Sequence, residues 1–387
     1  MRKLVSALWL GLALLLPLQV FATDYYVATT GSDTTGNGSQ TSPWATIDKA
    51  GTAVQPGDVV HVAPGTYFGK VTVSASGTSG AFITYVSDTK WGAVINCNTV
   101  SPCQDSSAFH NDGSYVKIIG FEVTGIGRDG IYSQGSHVVI QNNHVHDIAG
   151  PTSANCDNGG AGIMWDDYSA TDQQALANYV HDIGWVNDSQ CSGFHTVHGI
   201  YPVNNSPVVI NNLVVHTRNY GVQLYHCANH ALVINNTVVT AGESGILNGN
   251  DPSCGTNNVG SILSNNVLTN NGNYGFRDDS GNVSGGVYSN NLEFGNSDGN
   301  YVASSGTVTN NVSADPKYVN GTGTHNGDYH LQSGSPAIDA GTSSNGPSTD
   351  LDGHARPIGA GYDIGSYEYN STTAAPAAPT GLTATVN

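Results

Sequence analysis

One phrase recurs along the chain: apolar residues, two asparagines, then apolar residues again. It reads VVIQNNHV at 138–145, VVINNLVV at 208–215, LVINNTVV at 232–239, SILSNNVL at 261–268 and GVYSNNLE at 286–293. TVTNNV at 307–312 is a shorter copy and ALANYVHDI at 175–183 a degenerate one. The second asparagine falls at Asn143, Asn178, Asn212, Asn236, Asn266, Asn291 and Asn311, in steps of 35, 34, 24, 30, 25 and 20 residues. A glycine followed by an apolar residue recurs in the same rhythm: Gly130-Ile131, Gly162-Ile163, Gly199-Ile200, Gly221-Val222, Gly245-Ile246 and Gly275-Phe276. Short β-branched runs punctuated this way predict an all-β fold, a parallel β-solenoid in which each coil adds two or three strands. Asparagine tolerates left-handed backbone and bonds its neighbour in the next coil, so a stacked asparagine ladder is expected at one tight corner. A β-sandwich fits less well, because it needs no repeat of fixed phase. The longest insertions fall at 149–174 and 184–198, and long loops tend to carry function.

Composition narrows the partners. Residues 1–22, with a basic Met1-Arg2-Lys3 start and an apolar run to Phe21, read as a signal peptide, so a secreted, extracellular or periplasmic protein is expected. No later stretch approaches about 18 continuous apolar residues, so no membrane span is expected. Without Arg2 and Lys3, 9 Lys+Arg face 29 Asp+Glu, a formal charge of −20. That balance excludes nucleic acid as a partner, since phosphate binding needs a basic face. Only Glu122, Glu243, Glu293 and Glu368 are glutamates, and a chain so poor in Glu, Lys and Arg builds few helices. Six cysteines in an exported chain suggest three disulfides, and sequence order offers Cys97–Cys103, Cys156–Cys191 and Cys227–Cys254 among fifteen formal connectivities.

A solenoid needs its open ends covered. Residues 43–55 are the best helix candidate, capped by Thr46, and are expected to cover the N-terminal end. The helical domain is expected over 23–312, a C-terminal capping module over 313–369, and a flexible linker from 370. Residues 24–67 (DYYVATTGSD…GNGSQTSPWATIDKA…VQPGDVVHVAPGTY) resemble the opening of secreted bacterial right-handed parallel β-helix proteins, several of them pectate-lyase-like polysaccharide lyases. Residues 313–369 (SADPKYV…DYHLQSGSPAIDAG…TDLDGHARP…YDIGSYEY) resemble the choice-of-anchor Q domain that often ends such helices. PAAPTGLTATV resembles the first strand of a fibronectin type III domain, which implies surface anchoring through domains beyond residue 387.

Ten of the 14 histidines lie between His110 and His230. Alternation after each Gly-Ile element turns Tyr132, Met164, Tyr201, Gln223, Leu247 and Arg277 outward. Tyr132, Tyr201, Gln223 and Arg277 are the expected sugar-binding groups, offering stacking faces and hydrogen bonds. His144, His146 and His181 sit beside ladder positions and read as turn or packing residues. Asp147 and Asp182 share the phrase V-H-D-I and read as structural, and Trp165 falls on an inward register. His195 and His198 flank the Gly199 element one coil after Asp166-Asp167, and Arg218, Tyr220, Tyr225 and His226 surround the next. These six, His195, His198, Arg218, Tyr220, Tyr225 and His226, are the candidate catalytic groups. A uronic-acid lyase needs its substrate carboxylate neutralised, a base for the adjacent proton and an acid for the leaving oxygen. Pectate-lyase-like relatives use lysine or arginine bases, often with calcium held by aspartates. No lysine lies between Lys117 and Lys317, which leaves Arg, His or Tyr as base and Asp166, Asp167 and Asp251 as calcium ligands. No organic cofactor is expected, and the chain is expected to be monomeric. Two other readings compete. An inverting hydrolase of polygalacturonase type is similar in outline (Asp166-Asp167, then His198-Gly199), though its flanking triplets are missing. A non-catalytic glycan-binding adhesin would use the same architecture. For the enzyme, His198→Ala and Arg218→Ala are expected to abolish turnover and spare stability.

Overall fold

The computed structural model describes residues 22–98, 103, 106–125, 127–148, 159–184, 197–249, 254, 258–278 and 283–371. Three parallel sheets wind together into a β-helix. Sheet I has eleven strands, from Asp24–Val27 to Thr307–Thr309. Sheet II has nine, from Gly65–Phe68 to Leu292–Phe294, and sheet III nine, from Val71–Val73 to Gly299–Val302. One coil passes through the three in turn, as Val116–Ile119, Glu122–Gly125 and Asp129–Ser133 do before Val139–Gln141 begins the next. Equivalent residues pair across coils, so Ile118, Ile140 and Ala175 align in sheet I. Inward columns close the core: Val123, Val145, Val180, Val214 and Val238 from sheet II, and Ile131, Ile163, Ile200, Val222 and Ile246 from sheet III, all fully buried. Trp165 joins them, as its register predicts.

The doubled asparagines make the corner between sheets I and II. The first of each pair takes the left-handed conformation: Asn142, Asn211, Asn235, Asn265, Asn290 and Asn310 have φ between 54° and 64°, and Ala177 takes the same role at 53°. The second is buried and builds the expected ladder. The backbone N–H and side-chain amide of Asn143 both donate to Asn178 Oδ1, at 3.0 and 3.1 Å. Asn178 does the same to Asn212, Asn212 to Asn236, Asn236 to Asn266, and Asn266 to Asn291. Each amide also donates backwards to a sheet I carbonyl, such as Ala175 O for Asn212. The recurrent glycines have a different cause. A Cβ on Gly130, Gly162, Gly199 or Gly221 would lie 2.2–2.6 Å from a Cγ1 of Val145, Val180, Val214 or Val238. Sheet III therefore begins where only a glycine lets it close onto sheet II.

The helix at the N-terminal end spans Ile47–Gly51, shorter than the expected 43–55. Asp33 Oδ1 accepts the backbone N–H groups of Ala45 and Thr46, which fixes the chain outside the helix before the Thr46 cap. Ile47 and Ala50 are buried, and Asp48 accepts from Thr72 N, so the helix abuts the first strand of sheet III. Cys97–Cys103 and Cys227–Cys254 are bonded, with Cα atoms 5.5 Å apart in each. Cys156 and Cys191, like residues 1–21 and 372–387, lie outside the described residues.

Residues 313–371 run back along the flank, where capping of the last coil was expected. Left-handed asparagines of the corner anchor them: Asn211 donates to Thr349 O, Asn235 to Asp363 O, Asn265 to Thr342 O and Asn290 to Ala340 O. Tyr329, Leu351 and Tyr367 cover Leu213, Val215 and Val239 on sheet II. The buried Arg356 donates to Glu368 and Asn211, so its charge is paired where it is desolvated. His330 bridges Asp328 and Asp352 at 2.6 and 2.8 Å. Burial alone would lower its pKa, but the two carboxylate hydrogen bonds outweigh it and push it up to about 9. The folded chain thus keeps a proton that the unfolded chain releases near 6.5. The stabilisation is complete below about pH 6.5 and is lost as pH rises through about 9. The melting midpoint is expected to fall over that window, and His330→Gln to flatten the fall in a pH series of thermal melts.

Candidate functional site

The outward row of sheet III is in register as expected. Tyr132 pairs with Met164 and Met164 with Tyr201, while Gln223 pairs with Leu247 and Leu247 with Arg277. Its surface is less open than the sequence implies. Tyr132, Met164, Gln223 and Leu247 are buried, and only Tyr201 and Arg277 are partly exposed. Tyr132 packs with Ala161, Met164 and Val203, and its hydroxyl donates to Asp166 Oδ2 at 3.2 Å while accepting from Gln134. Burial, with the Asp166 charge beside it, pushes the Tyr132 phenol well above its usual range.

The candidate catalytic groups divide between the two ends of this face. At the leading end, His198 pairs with Ala161 on the preceding strand, and Gly199 N donates to Tyr220 O. The His198 ring therefore stacks along Tyr220, with centres 5.8 Å apart, and meets Tyr201 edge-on at 4.8 Å. His198 is buried, its Nδ1 has no hydrogen-bond partner among the described residues, and burial lowers its pKa to about 3. Such an imidazole is neutral at any ordinary pH. Its burial also corrects the expectation that His198→Ala spares stability, because the truncation leaves a cavity. Arg218 occupies the corner between sheets II and III, its N–H donating to Ile183 O and its neighbour Asn219 donating to Val197 O.

At the trailing end, His226 stacks on Tyr168 at 4.7 Å, meets Tyr225 edge-on at 5.0 Å and lies 6.3 Å from Tyr201. Tyr201 thus joins the two groups into one aromatic track. Asp166 and Asp167 open the loop there. Asp167 Oδ1 accepts from Ser169 N and Oγ, and Asp166 Oδ2 takes the Tyr132 hydroxyl. Each aspartate keeps one oxygen that accepts no hydrogen bond among the described residues. His195 and Asp251 lie outside the described residues.

Three groups were missed. Arg128 pairs with the fully buried Asp129 at 3.1 Å, and Asp129 in turn receives Ser107 Oγ and Ala161 N. Burial raises the Asp129 pKa against the opposing pull of Arg128, while the Asp129 charge raises that of Arg128. The pair immediately precedes Gly130, just as His198 precedes Gly199, so its place in the repeat was a usable signal. His110 stacks on Tyr132 at 4.7 Å, and Tyr168, adjoining the two aspartates, is exposed.

Over residues 25–311 the chain matches the family described as Pel9A-like, right handed beta helix region. A 133-residue stretch is 35% identical to pectate lyase L of Dickeya chrysanthemi, and to that of Dickeya dadantii (strain 3937), covering 32% of this chain and 31% of each relative. The chain thus spans about a third of the length of these curated relatives. Among solved structures, pectate lyase Pel9A aligns at TM-score 0.61 and 19% identity, over 90% of this chain and 96% of that one. An alginate lyase from Paenibacillus sp. str. FPU-7 aligns at 0.53 and 17% identity, over 76% of this chain and 96% of that one. A rhamnogalacturonan lyase gives 0.53 and 17%, over 77% and 91%. At such identities the likeness is one of fold. With the match running through nearly all of its coils, the chain belongs to the Pel9A-like right-handed β-helix family.

Proposed function

We propose that the protein is a polysaccharide lyase, working outside the cell, that cleaves a uronic-acid-containing glycan by β-elimination on the outer face of sheet III. The observation that carries this reading is a neutral imidazole, His198, stacked along a phenol, Tyr220, on adjacent coils, with Arg218 two residues before that phenol at the corner between sheets II and III. Arg218 neutralises the uronate carboxylate, which acidifies the adjacent carbon-bound proton. His198 takes that proton; an anionic sugar beside it offsets the burial cost of its cation. A carbon–carbon double bond forms, the glycosidic carbon–oxygen bond breaks, and Tyr220 donates a proton to the leaving oxygen. Tyr201, Tyr225 and His226 offer stacking faces to neighbouring sugars. Lyases among the relatives, and two disulfides of the kind exported proteins keep, support the reading.

Asp166 and Asp167 offer the hard oxygen donors that suit calcium, though the described residues supply only these two carboxylates of the six to eight oxygens such an ion takes. When bound there, calcium would neutralise sugar carboxylate beside a strongly acidic chain. Incubation with a panel of uronic-acid polymers, with and without calcium, is expected to raise the ultraviolet absorbance of an unsaturated product, and a chelator to suppress that rise. New reducing ends without the absorbance would identify a hydrolase. Retention on immobilised glycan with neither product would identify a binding protein.

A further inference from the structure

Sheet II carries a second cluster, separate from the face just described. Its outer row places Glu122 beside His144 and His146 beside His181 on successive coils. His146 Nδ1 lies 2.7 Å from Asp147 Oδ2, so in the neutral ring that nitrogen carries the proton and Nε2 presents its lone pair. Nε2 is buried and makes no hydrogen bond among the described residues, although Glu122 Oε1 is only 3.3 Å away. In that state Nε2 and the carboxylate are two acceptors, which repel at this distance unless a cation, either a metal ion between them or a second proton on the ring, separates them. Two ligands of one tetrahedral ion with bonds of 2.0–2.1 Å stand about 3.3 Å apart.

The third lone pair follows from the neighbours. Asp182 accepts from His181 Nδ1 at 2.7 Å, from His216 Nδ1 at 2.5 Å and from His325 Nδ1 at 2.6 Å. His181 Nε2 is therefore an acceptor, and His144 Nε2, 2.7 Å from it, must donate. That leaves His144 Nδ1 with its lone pair, 4.0 Å from Glu122 Oε2. Ligand atoms of Glu122, His144 and His146 all lie within 4.8 Å of one another. Tyr179 stacks flat on His144, with rings 5.0 Å apart, and Trp91 packs against it at 4.7 Å, holding the ring in place. Asp182, His181 and His325 form a similar triangle, but their facing atoms are spent on one another.

We propose that Glu122, His144 and His146 bind one divalent transition-metal ion of the zinc class. Imidazole nitrogen with a single carboxylate selects such ions over calcium, which takes oxygen. The Asp147 carboxylate behind His146 is the partner that orients a metal-binding histidine. The ion would tie together two successive coils. It is independent of the cleavage reaction proposed above.

The test uses tag-free full chain, stripped with chelator and titrated near neutral pH with Zn²⁺ by calorimetry and with Co²⁺ by visible absorption. One equivalent is expected to bind at micromolar concentration or below, with the Co²⁺ bands of nitrogen and oxygen ligation. Glu122→Gln and His146→Gln are expected to abolish binding, and His325→Gln to leave it unchanged. Melting of each variant in chelator, close to that of the parent chain, shows that the loss is not unfolding. Millimolar or weaker binding, binding that survives Glu122→Gln and His146→Gln, or loss in His325→Gln would each overturn the proposal.

Discussion

Asn212→Ala is expected to lower unfolding stability by about 4 kcal/mol, measured by urea denaturation at neutral pH. The side chain is buried at mid-ladder and joins three coils at once. Its Oδ1 accepts the N–H and side-chain amide of Asn178, and its own amide donates to Asn236 Oδ1 and Ala175 O. Truncation strips the Asn178 N–H of its acceptor. It also takes one bond each from the Asn178 amide, which keeps Ile140 O, from Asn236 Oδ1, which keeps the residue 212 N–H, and from Ala175 O. An orphaned group costs about 1–3 kcal/mol and each further lost bond about 0.5–1.5 kcal/mol before relaxation. Relaxation recovers part of that sum, because a buried void with several polar walls can admit a water. Asn212→Asp tests the same account from the other side, since it keeps the acceptor and removes both amide donors. It is expected to destabilise by a comparable amount, and more so as pH rises and the buried carboxylate ionises.

Arg218→Ala is expected to lower kcat/KM on the responsive glycan by about 10³-fold, with a melting midpoint near that of the parent chain. The size follows from removing one preorganised charge donor from a developing anion. Arg218→Lys should recover part of the loss, since a point charge remains while the guanidinium fork is gone. The partial exposure of Arg218 at the corner is what spares stability. His198 differs: it is buried, so His198→Ala confounds turnover with packing, and the isosteric His198→Gln, assayed beside a melt, separates them. Unchanged turnover in Arg218→Ala would remove the proposed elimination site.

The architecture was legible because it is written as repetition. The Asn-Asn pairs marked the ladder corner, and even the degenerate Ala177-Asn178 occupies it with the same geometry. The Gly-Ile elements marked sheet III, although the reason for the glycines, valine methyl groups across the core, needs three dimensions. The outward row was also found, yet alternation says only which way a side chain leaves the sheet. Whether Met164 or Gln223 then meets solvent depends on what covers it. The sheet II histidines were read as packing residues because each sits beside a ladder position. Nothing in one coil reveals that Glu122, His144 and His146 converge, since their meeting depends on alignment between coils. The course of residues 313–371 was illegible for a similar reason: its anchors are main-chain carbonyls, which any sequence possesses.

That strap changes how the molecule comes apart. A bare stack of coils is a one-dimensional polymer whose terminal rungs peel away singly. Here the tail is moored to Asn211, Asn235, Asn265 and Asn290, so the last coils and the middle ones share a common fastening. Fraying at the C-terminal tip must unbutton the mid-section too, which turns a gradual unravelling into a single cooperative event.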